Sequence, residues 1–513
     1  MTDPVALVAR SLADETRREF DRRVDEQAAR VTDALRAGRF DSPGFGLGLE
    51  LEAYAVDEAG RLARVPDAVF EGRCERELGR HNVEFNTEPT PFDGAGIAAQ
   101  AAQLERRVRK AQSDAEADGL EIVLDAMWTR PPSEGTREYL AATAEREGVT
   151  LAENMTESAR YYAIDNDVLA RTGGEIALSV PGVEETFPSL LFESLTSSVQ
   201  PHVQIPDVEA FPRYYNTALG TLGPVLALAT NSPLLPPDLY DFEKRDESAG
   251  PTDPYALLEA THHELRIPVF EQSVNRAWEK VRVPRRIERT TDAIDRLVAD
   301  QTCAPFLREW LAAGDREEFA DRFWELDHKR GTYWRWLRTV VGGQPVAEGD
   351  RWSVRLEYRP LPTQPTVAET VGLQCLVAGL LRGLVGAAHP IATLEREAAA
   401  ASFYDAVANG LEADLAWITA DGDRTSDRDV IYDELFAFAR RGLREQGVSD
   451  ETIETYLSPL EARWTERTTP SRWKLERVCD RLDAGERFVD AVTGMQSEYV
   501  RRAGANEPIT RWS

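Results

Sequence analysis

Lysine is nearly missing from this chain of 513 residues: five occur among 60 basic residues, so the positive charge is almost all arginine. Aspartate and glutamate number 89, and the net charge is −29. No arginine- or lysine-rich stripe stands clear of neighbouring acids, which argues against a nucleic-acid partner. A surface this acidic stays soluble in strong salt, where its charge is screened and hydrated. The composition therefore implies a halophilic archaeal protein. Cysteine is also scarce. Cys74, Cys303, Cys375 and Cys479 are scattered with no Cys-x-x-Cys, so neither a zinc site nor a disulfide framework is indicated. The opening MTDPVALVARSLADETRREF carries charges where a signal peptide needs an apolar run. The most apolar stretch, 376–394, is interrupted by Arg382, His389 and Pro390. A buried helix is the expectation there, not a membrane span, and the protein is expected in the cytoplasm.

Several motifs are missing too. There is no Walker-type Gly-Lys-Ser/Thr, no His-Glu-x-x-His and no Gly-x-Ser-x-Gly. P-loop, zincin and α/β-hydrolase chemistry are thereby set aside. The Gly-rich GFGLG at 44–48 leads into a strand and opens no helix, and the neighbours His262, His263 and Glu264 point apart.

What is present is a globular chain, 42% hydrophobic, long enough for two to four domains. Residues 1–40 read as helix, with Val24, Ala28, Val31 and Leu35 on one stripe. A helix is expected at 94–118. Residues 206–233 read as two helical segments broken at Gly223-Pro224. The Pro- and acid-rich stretch 234–254 reads as an exposed loop. RWSVRLEYRPLP (351–362) reads as a strand, followed by a helix apolar nearly all round. From 396 onward the pattern is helical, with Ser426 and Ser449 as N-caps.

Four strand-like segments share one property. In FGLGLELEAYAVD, period two puts Phe45, Leu47, Leu49, Leu51, Ala53 and Ala55 on one face and Gly46, Gly48, Glu50, Glu52 and Tyr54 on the other. VEFNTEP alternates Glu84, Asn86 and Glu88 with Val83 and Phe85. PHVQIP sets His202 and Gln204 against Val203 and Ile205. RLEYRP sets Arg355, Glu357 and Arg359 against Leu356 and Tyr358. In one sheet these polar faces converge. Pooled, Glu50, Glu52, Glu84, His202 and Glu357 suit hard divalent cations, and two arginines suit phosphoryl groups. Such ions would relieve the repulsion between Glu50 and Glu52, and two of them can clamp a polyphosphate. Plainer readings stand beside this one. A lone strand histidine is more often structural, Arg355 and Arg359 could form an ion-pair ladder with Glu357, and the acids could simply be solvated.

In order, GLELEAYAVD, VEFNTEP, QPHVQIPD…LGPVLALATNSP and RLEYRPLPTQPTVAETVGL resemble the second family of glutamate–cysteine ligases over roughly 44–505. The resemblance implies an α+β fold. A glutamine-synthetase-like catalytic domain (41–395) would hold a curved antiparallel sheet covered by helices, between a helical N-terminal extension (1–40) and a helical C-terminal segment (396–513). It implies a carboxylate–amine ligase using ATP and Mg²⁺, with Mn²⁺ as an alternative ion. Glutamate and an amine, cysteine first, would be its small-molecule substrates. Glu50, His202 and Glu357 would hold one ion; Glu52 and Glu84 would hold the other. Arg355, Arg359 and Gln204 would face the nucleotide, and the two arginines would serve phosphoryl transfer. Arg338 first, or else Arg160 or Arg266, would grip the substrate α-carboxylate, with Asn86 and Thr87 also on the substrate. Gln204 stands where the family has a second histidine, and Ala408 where an arginine is usual. A ligase of another acid or amine, or a non-catalytic member binding nucleotide or amino acid, is the alternative. The homo-oligomeric state stays open.

Overall fold

Strand β1 (Gly46–Val56) is the spine of the molecule. It pairs on one side with β6 (Val199–Ile205) and on the other with β3 (Asn82–Asn86). The sheet has eight strands in all, adding β2 (Cys74–Arg76), β4 (Thr90–Pro91), β5 (Glu121–Val123), β7 (Leu337–Val341) and β8 (Val354–Tyr358). Its order is β7-β8-β6-β1-β3-β2, with β4 and β5 pairing the two ends of β1, and every pairing is antiparallel. This computed structural model describes residues 3–72, 74–242, 253–311, 318–343, 345–346 and 352–512.

The main helices are α1 (Pro4–Ser11), α2 (Asp14–Arg36), α3 (Gly94–Glu116), α4 (Ala159–Thr172), α5 (Phe211–Ala229), α6 (Arg266–Asn275), α7 (Val367–Gly386), α8 (Arg396–Asn409), α9 (Arg428–Glu445), α10 (Asp450–Thr465), α11 (Pro470–Asp483) and α12 (Phe488–Gly504). The chain is thus α+β, with one antiparallel sheet among helices. The apolar face of β1 works as its alternation predicts: Leu47, Leu49, Leu51, Ala53 and Ala55 are all buried, beneath α3, with α7 reaching the adjacent β6. Helix α7 is buried nearly all round. Among the described residues it is the one helix long and apolar enough to cross a membrane, and it lies inside the protein. It meets α9 backbone to backbone. A Cβ on Gly442 would stand 1.9 Å from the Gly379 carbonyl oxygen, so glycine is required for the approach.

Four expectations change. The N-terminal helix is broken at Leu12-Ala13, where Ala13 is extended. The break lets α1 pack on α4 while α2 turns to other helices. Helix α5 runs straight through Pro224 and is not two segments. An interior proline costs a helix about 3 kcal/mol, but nearly every α5 residue is buried. At Gly223 the Ser402 backbone of α8 sits where a Cβ would be, at 2.8 Å. Close burial on all sides outweighs one lost hydrogen bond. The stretch 234–242 is inside, not exposed: Leu234, Leu235, Leu239 and Tyr240 are buried, and Tyr240 packs edge-on against Phe488 of α12. Residues 243–252 of that expected loop lie outside the described residues. Helix α9 is capped by Asp427, one residue beyond Ser426, whereas Ser449 caps α10 as expected.

The C-terminal helices are pinned to the sheet side by buried charge. Arg463 of α10 is fully buried. It donates to the Leu228 carbonyl at the end of α5 (2.9 Å), to Gln364 Oε1 (2.8 Å) and to Glu369 Oε1 in the first turn of α7 (2.8 Å). Glu369 also accepts the Ile509 N–H. Four segments distant in sequence therefore meet at one ion pair. Removing one partner of such a pair leaves a buried charge alone, at about 3–5 kcal/mol. Arg463→Met is expected to lower the urea midpoint strongly, and Arg463→Met with Glu369→Gln to recover much of the loss. Equal midpoints for the single and double variants would show that the pair is not coupled.

Candidate active site

The antiparallel register turns the period-two pattern into rows. Arg338, Glu357, His202 and Gly48 lie side by side across β7, β8, β6 and β1. On one side of this row lie Arg355, Gln204 and Gly46; on the other lie Gln200, Glu50 and Asn86. Beyond them Glu52 faces Glu84, which faces Glu75 of β2. Gly48 offers no side chain opposite His202, which leaves room for the imidazole beside Glu50.

That space brings three groups together. Ligand atoms of Glu50, His202 and Glu357 all lie within 4.8 Å of one another. His202 Nε2 is 3.1 Å from Glu50 Oε1, yet among the described residues this buried nitrogen makes no hydrogen bond. An imidazole nitrogen and two carboxylates aimed at one point, with the nitrogen unsatisfied, fit a divalent cation. Glu357 has no solvent exposure. Both its oxygens accept from Arg338, at 2.7 and 2.8 Å, and Oε1 also accepts from Arg359. Burial alone would raise its pKa; the Arg338 and Arg359 guanidiniums and His202 outweigh burial and hold the carboxyl well below the usual range.

The second acidic group is built differently. Glu52 accepts from Ser198 N (2.8 Å), Ser198 Oγ (2.9 Å) and Gln200 Nε2 (3.2 Å). Glu84 accepts from Asn86 Nδ2 at 2.7 Å. Burial raises both carboxyls, and for Glu84 the charges of Glu50, Glu77 and Glu52 push it well above normal. Among the described residues, Glu52 and Glu84 make no three-ligand cluster like that of Glu50.

Two cavities meet at Glu50. The smaller, about 200 Å³, is lined by Gly46, Gly48, Glu50, Asn86, Thr87, His202, Gln204, Val346 and Arg355. Its rim is tied by Gln204, which donates to Ser42 and Gly44 and accepts the Val346 N–H. A Cβ on Gly46 would fall 2.3 Å from Val346, so glycine admits this loop. The larger, about 350 Å³, holds Glu50, Glu52, Glu75, Glu77, Glu84 and Glu193 with Arg160, Arg266, Arg330, Arg338 and Arg359.

The expected site residues thus divide. Asn86, Thr87, Gln204 and Arg355 line the smaller cavity; Arg160, Arg266, Arg338 and Arg359 line the larger. The three candidate carboxylate forks are not equally open. Arg338 is closed onto Glu357. Arg266 is held by Glu264 (3.2 Å) and the Pro360 carbonyl. Among the described residues Arg160 donates once, to the Gly331 carbonyl at 2.9 Å, and its Nε has no partner. The sequence reading missed Gln200, although it shares the His202 face, and it missed Glu77, Tyr161 and Glu193. Glu77 sits in the β2–β3 connection and Glu193 in a 3₁₀ turn (Leu190–Leu195), where no periodicity marks a site.

Comparison with known proteins follows the same line. The profile described as glutamate–cysteine ligase family 2 matches residues 46–505. The fold is similar to that of a glutamate–cysteine ligase from Francisella tularensis, solved in complex with AMP. That similarity has TM-score 0.51 and 13% identity and covers 90% of each chain. A bifunctional glutathione synthetase from Pasteurella multocida is also similar, with TM-score 0.48 and 13% identity, over 90% of this chain and 52% of that one. No curated protein matches. The family profile spans every strand that builds the two cavities, and the chain belongs to glutamate–cysteine ligase family 2, a family of ligases.

Proposed function

We propose that this ligase is ATP-dependent and joins the γ-carboxylate of glutamate to an amine, with cysteine the first candidate. The observation that carries this reading is the junction of the two cavities at Glu50, which clusters with His202 and Glu357. One cavity can take a nucleotide and the other an amino acid, with their reactive ends meeting at a cation-type cluster. The AMP in the Francisella tularensis enzyme supports a nucleotide partner here.

Glu50, His202 and Glu357 would hold one Mg²⁺, and Glu52 with Glu84 the other. Bound there, the ions would neutralise polyphosphate charge and bring the γ-phosphate toward the acyl oxygen. The chain's own residues do the rest. Gly46 and Gly48 leave the smaller cavity open along the backbone of β1. Arg355 presents an unpartnered Nε beside that cavity, suited to phosphate oxygens. Arg359, whose Nε is also unpartnered, faces the larger cavity next to Glu357, where charge develops as the phosphoryl group moves. Arg160 is the α-carboxylate anchor, because its fork is the least occupied of the three.

Two outcomes test this. Glu52→Gln and Glu84→Gln are expected to fold normally but to lose glutamate-dependent ADP release, since an amide binds Mg²⁺ poorly. Glu84→Gln is also expected to raise the melting temperature of the metal-free protein by removing a crowded like charge. Wild-type turnover in both variants would mark these acids as bystanders. Positioning of the reacting carboxylate is worth about 7 kcal/mol when geometry is ideal. Arg160→Lys, which keeps charge but loses the fork, is therefore expected to raise the glutamate KM at least about tenfold and leave the ATP KM unchanged. A shift in the ATP KM alone would move Arg160 to the phosphate site and return the anchor to Arg338.

A further inference from the structure

Part of the lining of the larger cavity comes from outside the sheet and has no role in the reading above. It is built by Tyr161 of α4, the 190–195 turn and Phe270 of α6. Its carboxylate is Glu193. Glu193 Oε2 accepts from Ser273 Oγ at 2.6 Å, which fixes the side chain. Among the described residues nothing donates to the other oxygen, Oε1, and none pairs its charge with Glu193 in an ion pair. We propose that Glu193 binds the ammonium of the acceptor amine and takes its proton, making it the catalytic base of the ligation step. The proposal rests on the ligase reading given above.

The chemistry requires such a group. An amine that arrives as R–NH₃⁺ has no lone pair, so it cannot attack. One N–H proton passes to Glu193 Oε1, giving the carboxylic acid and R–NH₂. The nitrogen then attacks the acyl-phosphate carbon. The C–N bond forms, the C–O bond to phosphorus breaks, and phosphate leaves with that electron pair. The second nitrogen proton goes to the departing phosphate, and Glu193 returns its own proton to solvent.

The surroundings of Glu193 suit a base. Facing it are Glu77 from the β2–β3 connection, Glu52 of β1 and Arg359 just beyond β8; Arg160 of α4 and Arg266 of α6 line the same cavity. Burial, with the charges of Glu77 and Glu52, pushes the Glu193 carboxyl up to about 8, against the Ser273 hydrogen bond and Arg359. A proton affinity near neutrality is what efficient proton transfer from an ammonium calls for. Glu52 and Glu84 lie toward the metal side, with Glu52 tied up by Ser198 and Gln200. Glu77 differs as well: one of its oxygens holds both Tyr161 and the Leu78 N–H, and it lies beside Arg160, at the glutamate end. Asp165, under the same turn, accepts the Leu190 N–H and does not line the cavity.

The test separates proton removal from amine attack by using hydroxylamine, a nucleophile already neutral at neutral pH. Wild type, Glu193→Gln and Glu193→Asp are assayed with ATP and glutamate, using either cysteine or hydroxylamine as acceptor. Glu193→Gln is expected to lose about 100-fold or more in kcat/KM for cysteine. It should make hydroxamate within a few-fold of wild type, with glutamate and ATP KM values unmoved. Glu193→Asp should recover part of the cysteine rate. Equal loss with both acceptors would make Glu193 a structural residue and overturn the proposal, and so would no loss with either. Failure of the wild type to form hydroxamate would sink the ligase reading itself, and Glu193's role with it.

Discussion

A carboxylate with no exposure, gripped by two guanidiniums, organises the polar side of the sheet. Glu357 can be ionised at the centre of the molecule only because Arg338 of the neighbouring strand meets both its oxygens and Arg359 closes on one of them. Such a pair is not a cheap source of stability, because both ions give up water. What it does is fix register. A slip of one residue between β7 and β8 would turn Arg338 into the core and leave Glu357 alone. The same slip would take Glu357 away from His202 on the other side. Ion pair, strand register and the three-group cluster with Glu50 are thus one constraint.

That constraint also explains the electrostatic layout. Moving across the sheet from β7 to β2, the polar face changes from arginine to a mixed centre and then to Glu84 and Glu75, acids that form no ion pair among the described residues. A gradient of this kind binds a molecule with two unlike ends in one direction only. The acids on its far side repel one another, a strain that the proposed cation or ammonium would remove. The site is therefore least stable when empty, as sites built to bind charge commonly are.

Much of this was legible because strands report themselves. Leu47, Leu49 and Leu51 alternate with Gly48, Glu50 and Glu52, and only a sheet with one polar face satisfies that pattern. The convergence of four such faces needed no knowledge of the loops. The expectations that failed were those in which packing overrode local preference. Pro224 reads as a helix breaker, but α5 is enclosed on all sides. Leu234 and Tyr240 sit among prolines that read as loop, yet they supply core. Side chains on irregular backbone gave no signal at all. Glu193 and Glu77 are two acids among 89 acidic residues, and only three-dimensional placement separates them from the solvated majority. The sequence could offer three arginines as carboxylate forks. Which of them is closed, and which open, depends on distances to Glu357, Pro360 and Gly331 that no spacing encodes.

The cations that face the larger cavity are all arginines; among the described residues no lysine lines it. Lys280, Lys329 and Lys474 are instead buried elsewhere, each hydrogen-bonded to a carboxylate, hydroxyl or carbonyl. The difference goes beyond charge. A lysine amine is a nucleophile whenever it sheds its proton, whereas a guanidinium stays protonated and inert. A chamber that activates a carboxyl group as an acyl phosphate makes a reagent that acylates any free amine within reach. Lined with arginine, such a chamber would hold anions without offering a competing amine. Were the proposed acyl phosphate formed there, no lysine amine among the described lining residues would compete with the amine that the substrate brings.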